Sequence, residues 1–159
     1  MGDMRDRDET GRARNARPRD AYGRPLPHDA RGEERVPDDY TAAPAEALTE
    51  AQRLLDADRP FHAHEVLEAA WKSAPPGERE LWQGLAQLAV GFTHVRRGNA
   101  QGAKSLLRRA ADRVAPYDPA PHGIDATGLA RRARDLADHI DRDGLEAITD
   151  AELAPPLRG

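Results

Sequence analysis

Leu81-Trp82-Gln83-Gly84-Leu85-Ala86-Gln87-Leu88-Ala89-Val90-Gly91-Phe92-Thr93-His94-Val95 is a run of fifteen residues without Asp, Glu, Lys or Arg, in a chain where 33% of residues are charged. A helix with no charged face is buried all round, so this stretch predicts the central helix of an all-α protein. At about 100° per residue, Leu81, Leu85, Leu88, Phe92 and Val95 form one stripe. Gln83, Gln87 and His94, joined by Val90 and Gly91, form another on roughly the opposite side. Gly84, Ala86, Ala89 and Gly91 remove bulk between the two. A glycine inside a helix costs about 1 kcal/mol against alanine, and close approach of neighbouring helices offsets that cost.

Working outward, helix periodicity and its punctuation predict the remaining elements, and no stretch alternates as a strand would. Ala47, Leu48, Ala51, Leu54 and Leu55 after Pro44 predict helix one over 44–57. Asp58 is placed to cap helix two, with Pro60 in its first turn, so that helix runs over 60–73 until Ala74-Pro75-Pro76-Gly77 breaks it. Helix three spans 78–97 and stops at Gly98-Asn99. Helix four spans 100–115, with Ala103, Leu106, Leu107, Ala110, Ala111 and Val114 on one side, and ends before Pro116, Pro119 and Pro121. Leu129, Ala133, Leu136, Ala137 and Ile140 predict a fifth helix up to Gly144, and a short sixth segment is expected over 145–153. Short connections make sequential helices antiparallel, which gives a compact bundle of five to six antiparallel helices over 41–153.

Helix two carries the complement of the polar stripe. Phe61-His62-Ala63-His64-Glu65-Val66-Leu67-Glu68-Ala69-Ala70-Trp71 puts His64, Leu67, Glu68 and Trp71 on one face, with His64 and Glu68 four residues apart. In an antiparallel hairpin turning near Pro75-Pro76, facing residue numbers sum to about 151. Glu68 then faces Gln83, His64 faces Gln87, and His94 reaches the turn from Asp58 to His62. Buried Gln, His and Glu are costly unless bonded to one another, which these can be.

Composition narrows the function classes. Of 159 residues, 24 are Lys or Arg and 28 Asp or Glu, a net charge of -4, and there is no cysteine. Thiolate zinc sites, iron–sulfur clusters and a cysteine nucleophile are excluded. The acidic balance makes nucleic acid an unlikely partner, and Arg108-Arg109 and Arg131-Arg132-Arg134 lack flanking aromatics. No signal peptide or membrane span is recognisable, so a cytoplasmic location is expected. Residues 1–40 hold nine Arg, ten Asp or Glu and few large apolar residues, the composition of a disordered charged tail. Within it Arg12, Arg14, Arg17 and Arg19 make a short basic cluster nearly cancelled by Asp20 and its neighbours. Residues 154–159, Ala-Pro-Pro-Leu-Arg-Gly, are expected to fray.

Arg59-Pro60-Phe61-His62-Ala63-His64-Glu65-Val66-Leu67-Glu68-Ala69-Ala70-Trp71, followed by Gln83-Gly84-Leu85-Ala86-Gln87-Leu88-Ala89, His94, Gly98-Asn99 and Gly102-Ala103, resembles the domain of unknown function 309 family of bacterial and archaeal proteins. The resemblance covers about 48–113, with a weaker extension to Ile140. It implies a compact helical bundle with no established activity, though some members are labelled predicted metal-dependent hydrolases. His62 stands where members more often carry an acidic residue. Trp71, Gly84, Gly98, Asn99 and Gly102 are expected to serve the structure.

Three functional readings follow. In the preferred one, His64, Glu68, Gln83, Gln87 and His94 form a satisfied buried network that sets helix register. In the second, His64-Glu65-x-x-Glu68 approximates the helical His-Glu-x-x-His zinc motif. His64, Glu68 and His94, or His62, would then hold a divalent metal such as zinc or manganese, with Glu65 as general base. In the third, helices three and four act as an interaction module for a peptide or a second copy. Gly91, Ala103 and Ala110 match the small-residue spacing of a tetratricopeptide pair, although one repeat is found where a solenoid needs about three.

Overall fold

The computed structural model describes residues 43–159, so the tail expected over 1–40, with its arginine cluster, lies outside the described residues. Pro44 opens the first helix, where a missing N–H costs nothing, and Glu46 reaches back to the Ala43 amide at 3.2 Å. Among the described residues the five helices are α1 (Pro44–Asp56), α2 (Pro60–Ser73), α3 (Arg79–Arg96), α4 (Ala100–Val114) and α5 (Ala126–Asp143). Single 3₁₀ turns at Pro76–Glu78, Pro121–Gly123, Leu145–Ala147 and Ala151–Leu153 fill the connections. The expected sixth segment is therefore two separate turns, too short to bury a helical face. Among the described residues no helix is long and apolar enough to cross a membrane.

Successive helices pack antiparallel, as cross-helix bonds show. Arg96 near the end of α3 meets Asp58 before α2 at 2.9 Å, and Arg113 at the end of α4 meets Gln83 near the start of α3 at 3.2 Å. On the next pair, Lys104 bonds Asp141 at 2.6 Å and Arg134 bonds Asp112 at 3.1 Å. The main packing is α1 on α2, α2 on α3, α3 on α4 and α4 on α5. α3, uncharged from Leu81 to Val95, lies between α2 and α4 and buries Leu81, Trp82, Leu85, Leu88, Phe92 and Val95. Gly84 permits close approach of α4: a β-carbon there would stand 2.7 Å from Val114 Cγ1.

The α1–α2 and α3–α4 turns are built alike. In the first, the Asp58 amide donates to Leu55 and the Arg59 amide to Leu54, with Asp58 at φ +61°. In the second, the Gly98 amide donates to Val95 and the Asn99 amide to His94, with Gly98 at φ +79°. Both are Schellman turns followed at once by the next helix. Asp58 thus occupies the left-handed position that glycine takes in the other turn. It does not cap α2 as expected: the α2 N-cap is Arg59, with no side-chain cap. The correspondence extends along the helices at an offset of forty residues. Ala51, Ala63 and Ala70 repeat the Gly91, Ala103 and Ala110 spacing, and Ala51, Ala63, Gly91, Ala103 and Ala110 are buried. The α1–α2 hairpin thus shares its turn and small-residue spacing with the α3–α4 pair that the sequence singled out, and α5 packs on α4.

Residues 154–159 do not fray. Leu153, Pro155 and Leu157 are buried, and the Leu157 carbonyl accepts the Asp125 amide at 2.9 Å. Alternate apolar side chains dock on the helices, which offsets the entropy of ordering the end.

Candidate functional site

The α2 face carries the expected residues, but in several environments. His62 is 2% exposed and meets Phe61 edge-on, with ring centroids 6.0 Å apart. His64 tilts against the same Phe61 ring at 5.6 Å, and the Arg97 guanidinium lies 6.0 Å from its centroid. His64 Nε2 stands 3.8 Å from Glu68 Oε2, with side chains 20% and 41% exposed. Burial pushes the His64 imidazole below its ordinary value, against the pull of the Glu68 and Glu65 carboxylates, because burial disfavours the charged form. His64 Nδ1 and Gln87 Oε1 are buried and have no hydrogen-bond partner. Glu65, the candidate base, is half-buried on α2 with one carboxylate oxygen enclosed.

The five-residue network does not converge. Gln83 Oε1 accepts from Arg113 on α4, because the close approach at Gly84 brings α4 over that side of α3. Arg113 also pairs with Glu80. His94 Nδ1 stands 3.1 Å from Asn99 Nδ2, so it serves the α3–α4 turn instead of reaching back to α2. Burial, with the nearby Arg97, holds the His94 imidazole low. Consequently His64, Glu68 and His94 are not gathered into a ligand set, and among the described residues no group of three or more His, Asp or Glu could hold a metal ion. His122 bonds Glu78 at 2.9 Å and His139 bonds Glu152 at 2.7 Å.

The residues expected to support the structure have identifiable work. Trp71 packs half-buried on the core, and Asn99 caps α4 by accepting the Gly102 amide at 3.0 Å. Gly102 leaves room for that cap, since a β-carbon there would meet Asn99 Nδ2 at 2.5 Å. Asp125 caps α5 in the same way through the Gly128 amide. The arginines considered for nucleic acid are partly consumed by ion pairs: Arg108 bonds Asp138 and Asp141, and Arg134 bonds Asp112.

A second site was not legible in the sequence. On α1 the Gln52 side chain donates from Nε2 to the Pro155 carbonyl at 3.1 Å and accepts the Leu157 amide at Oε1 at 2.8 Å. One side chain thus reads both main-chain groups of an extended segment, as a neighbouring strand would. On the other side of that segment the Asp125 amide donates to Leu157, the Gly159 amide donates to Gly123, and Ile124 pairs with Arg158 in an antiparallel bridge. Arg158 also donates to Thr49 Oγ1 at 2.9 Å. The segment therefore lies between α1 and the loop leading into α5. The one sequence signal was alternation in Leu153-Ala154-Pro155-Pro156-Leu157, which the two prolines disguise as an end.

Comparison with known proteins agrees with the resemblance and adds no activity. Residues 48–106 match the family model described as Domain of unknown function (DUF309). Over 48 residues the chain is 50% identical to the uncharacterized protein YpuF of Bacillus subtilis (strain 168), a match covering 30% of this chain and 28% of that protein. The matching region is thus little more than a quarter of that relative's length. No solved structure matches the chain.

Proposed function

We propose that the chain is a protein-interaction module: two helical hairpins closed by α5, with a seat for an extended peptide between α1 and the loop before α5. The observation that carries this reading is the paired Gln52 bond to the Pro155 carbonyl and Leu157 amide. Main-chain bonds supply affinity for an extended peptide, and pockets for alternate side chains supply selectivity. Stacked hairpins commonly present such surfaces, and the repeated turn at Asp58 and Gly98 supports that architecture. The test is an array of short extended peptides rich in proline and leucine, probed with the wild type and with Gln52→Ala. Binding that weakens in the variant is expected. If no peptide distinguishes the two proteins, the reading fails.

A second reading, a divalent metal such as zinc or manganese at His64 and Glu68, is favoured by one observation: a half-buried imidazole 3.8 Å from a carboxylate, with burial pushing its pKa down. With Glu65 as base this would be the hydrolase alternative. Its weakness is ligand number, because hydrolytic sites hold the ion with three protein ligands and His94 is turned to Asn99. Titrating the ion into protein free of a polyhistidine tag tests it.

A further inference from the structure

We infer that the seat on α1 selects a segment of the pattern Leu-x-Pro-x-Leu, turned at its first leucine and extended from its proline, and that Leu153 to Leu157 of this chain is its built-in occupant, displaceable by a partner carrying the same pattern. This rests on the interaction-module reading and names its ligand. Leu153 closes the 3₁₀ turn Ala151–Leu153 with its side chain buried; beyond it Pro155 and Leu157 are buried whereas Pro156 and Arg158 are exposed, the two-residue period of an extended chain with one face seated. The prolines fit the bonding pattern: Pro155 contributes its carbonyl to Gln52, and the first amide needed comes from Leu157. Proline's fixed φ also keeps the segment extended before it binds, which lowers the entropy lost on seating.

The occupant is held as a ligand is held. Its bonds to α1 and to the α5 loop run mainly through main-chain groups, which any peptide of the same shape offers. Only the two leucines, Pro155 and the Arg158 bond to Thr49 depend on sequence. On its chain-proximal side it is moored separately: Glu152 accepts from the Thr149 amide at 2.9 Å and lies 2.7 Å from His139. Asp150 accepts from Arg96 at 2.5 Å. Pro155 to Arg158 can therefore leave the seat while Thr149 to Glu152 stay anchored.

The experiment measures fluorescence anisotropy of a labelled synthetic peptide, Glu-Leu-Ala-Pro-Pro-Leu-Arg-Gly, with the 159-residue chain. Leu157→Asp weakens the built-in occupant, so the peptide should bind that variant at least about tenfold more tightly than wild type, as expected when a closed state withholds a site. Adding Gln52→Ala should abolish the gain, and a peptide with both leucines replaced by Asp should not bind. Equal binding to wild type and Leu157→Asp overturns the inference. If Leu157→Asp binds other array peptides but not this one, the ligand assignment fails and the interaction reading survives; if it binds none, both fail. Hydrogen exchange on the wild type gives an arm free of folding defects. The Leu157 and Asp125 amides should exchange through a local opening, well before the amides of Leu85 to Val95. Exchange of all of them at one common rate would make the segment a permanent part of the core and overturn the inference.

Discussion

Arg96 Nε donates to Asp58 Oδ1 at 2.9 Å, and the same guanidinium reaches Asp150 at 2.5 Å, so one side chain from α3 ties the α1–α2 turn to the segment after α5. The two carboxylates are unequal, Asp58 being 40% exposed and Asp150 90%. Solvent screens the outer pair almost completely. Arg96→Ala should lower stability by about 1 kcal/mol in urea denaturation, and Asp150→Ala by less than about 0.5 kcal/mol. Equal losses from both would show that the outer pair dominates.

Gly84 and Gly77 should respond to alanine with opposite signs. At Gly84 the added carbon would stand 2.7 Å from Val114 Cγ1 and 3.0 Å from Arg113 Cβ. Overpacking of roughly 1 to 3 kcal/mol exceeds the helix-propensity gain of about 1 kcal/mol. At Gly77 nothing lies within 4 Å, so Gly77→Ala should stabilise by about 0.4 to 1 kcal/mol through the unfolded chain. Paired denaturant midpoints decide it, and a stabilised Gly84→Ala would mean that α3 and α4 are less tightly packed than described.

Two imidazoles make stability depend on pH below neutrality. Burial depresses His64, opposed by Glu68 and Glu65, and burial with Arg97 depresses His94. The unfolded chain therefore takes up these protons at higher pH than the folded one. Stability is full above the ordinary value of 6.5 and falls as pH drops from there towards the folded values. Urea midpoints should be lower at about pH 5.5 than at about pH 7.5, and the double variant His64→Gln, His94→Gln should flatten that difference. An unchanged slope would assign it to other groups.

Zinc and manganese separate the two functional readings. If His64 and Glu68 are structural, adding either ion should shift the melting temperature by less than about 1 °C, since mass-action stabilisation requires a site in the folded state. Glu68→Ala should then cost under about 1 kcal/mol, as expected of an exposed pair. A larger ion-dependent shift that disappears in His64→Ala would restore the metal site.

Much of the architecture was legible because it depends on local pattern. The uncharged run from Leu81 to Val95 marked the central helix, and Pro44, Pro60 and Gly98-Asn99 marked ends that the structure places within a residue or two. Side-chain destinations were less legible, because helix register leaves each residue a choice of neighbours. Gln83 and Gln87 share a stripe, yet Gln83 is taken by Arg113 because Gly84 admits α4 on that side. Asp58 looked like a cap but occupies a left-handed turn position, which aspartate tolerates. The Gln52 seat was hidden for a different reason: its partners lie more than one hundred residues away, and main-chain recognition leaves almost no trace in side-chain identity.

That separation has a kinetic consequence. The hairpins close over a few tens of residues, whereas Gln52 and Leu157 must close a loop of 105, and distant contacts are paid for in loop entropy before they reward the chain. The latch between them should therefore form after the rate-limiting barrier. Gln52→Ala should speed unfolding and leave the refolding rate nearly untouched, as stopped-flow chevrons would record. The lifetime of the fold is then set where α1 meets the segment around Leu157, while the speed of folding is set in the hairpins.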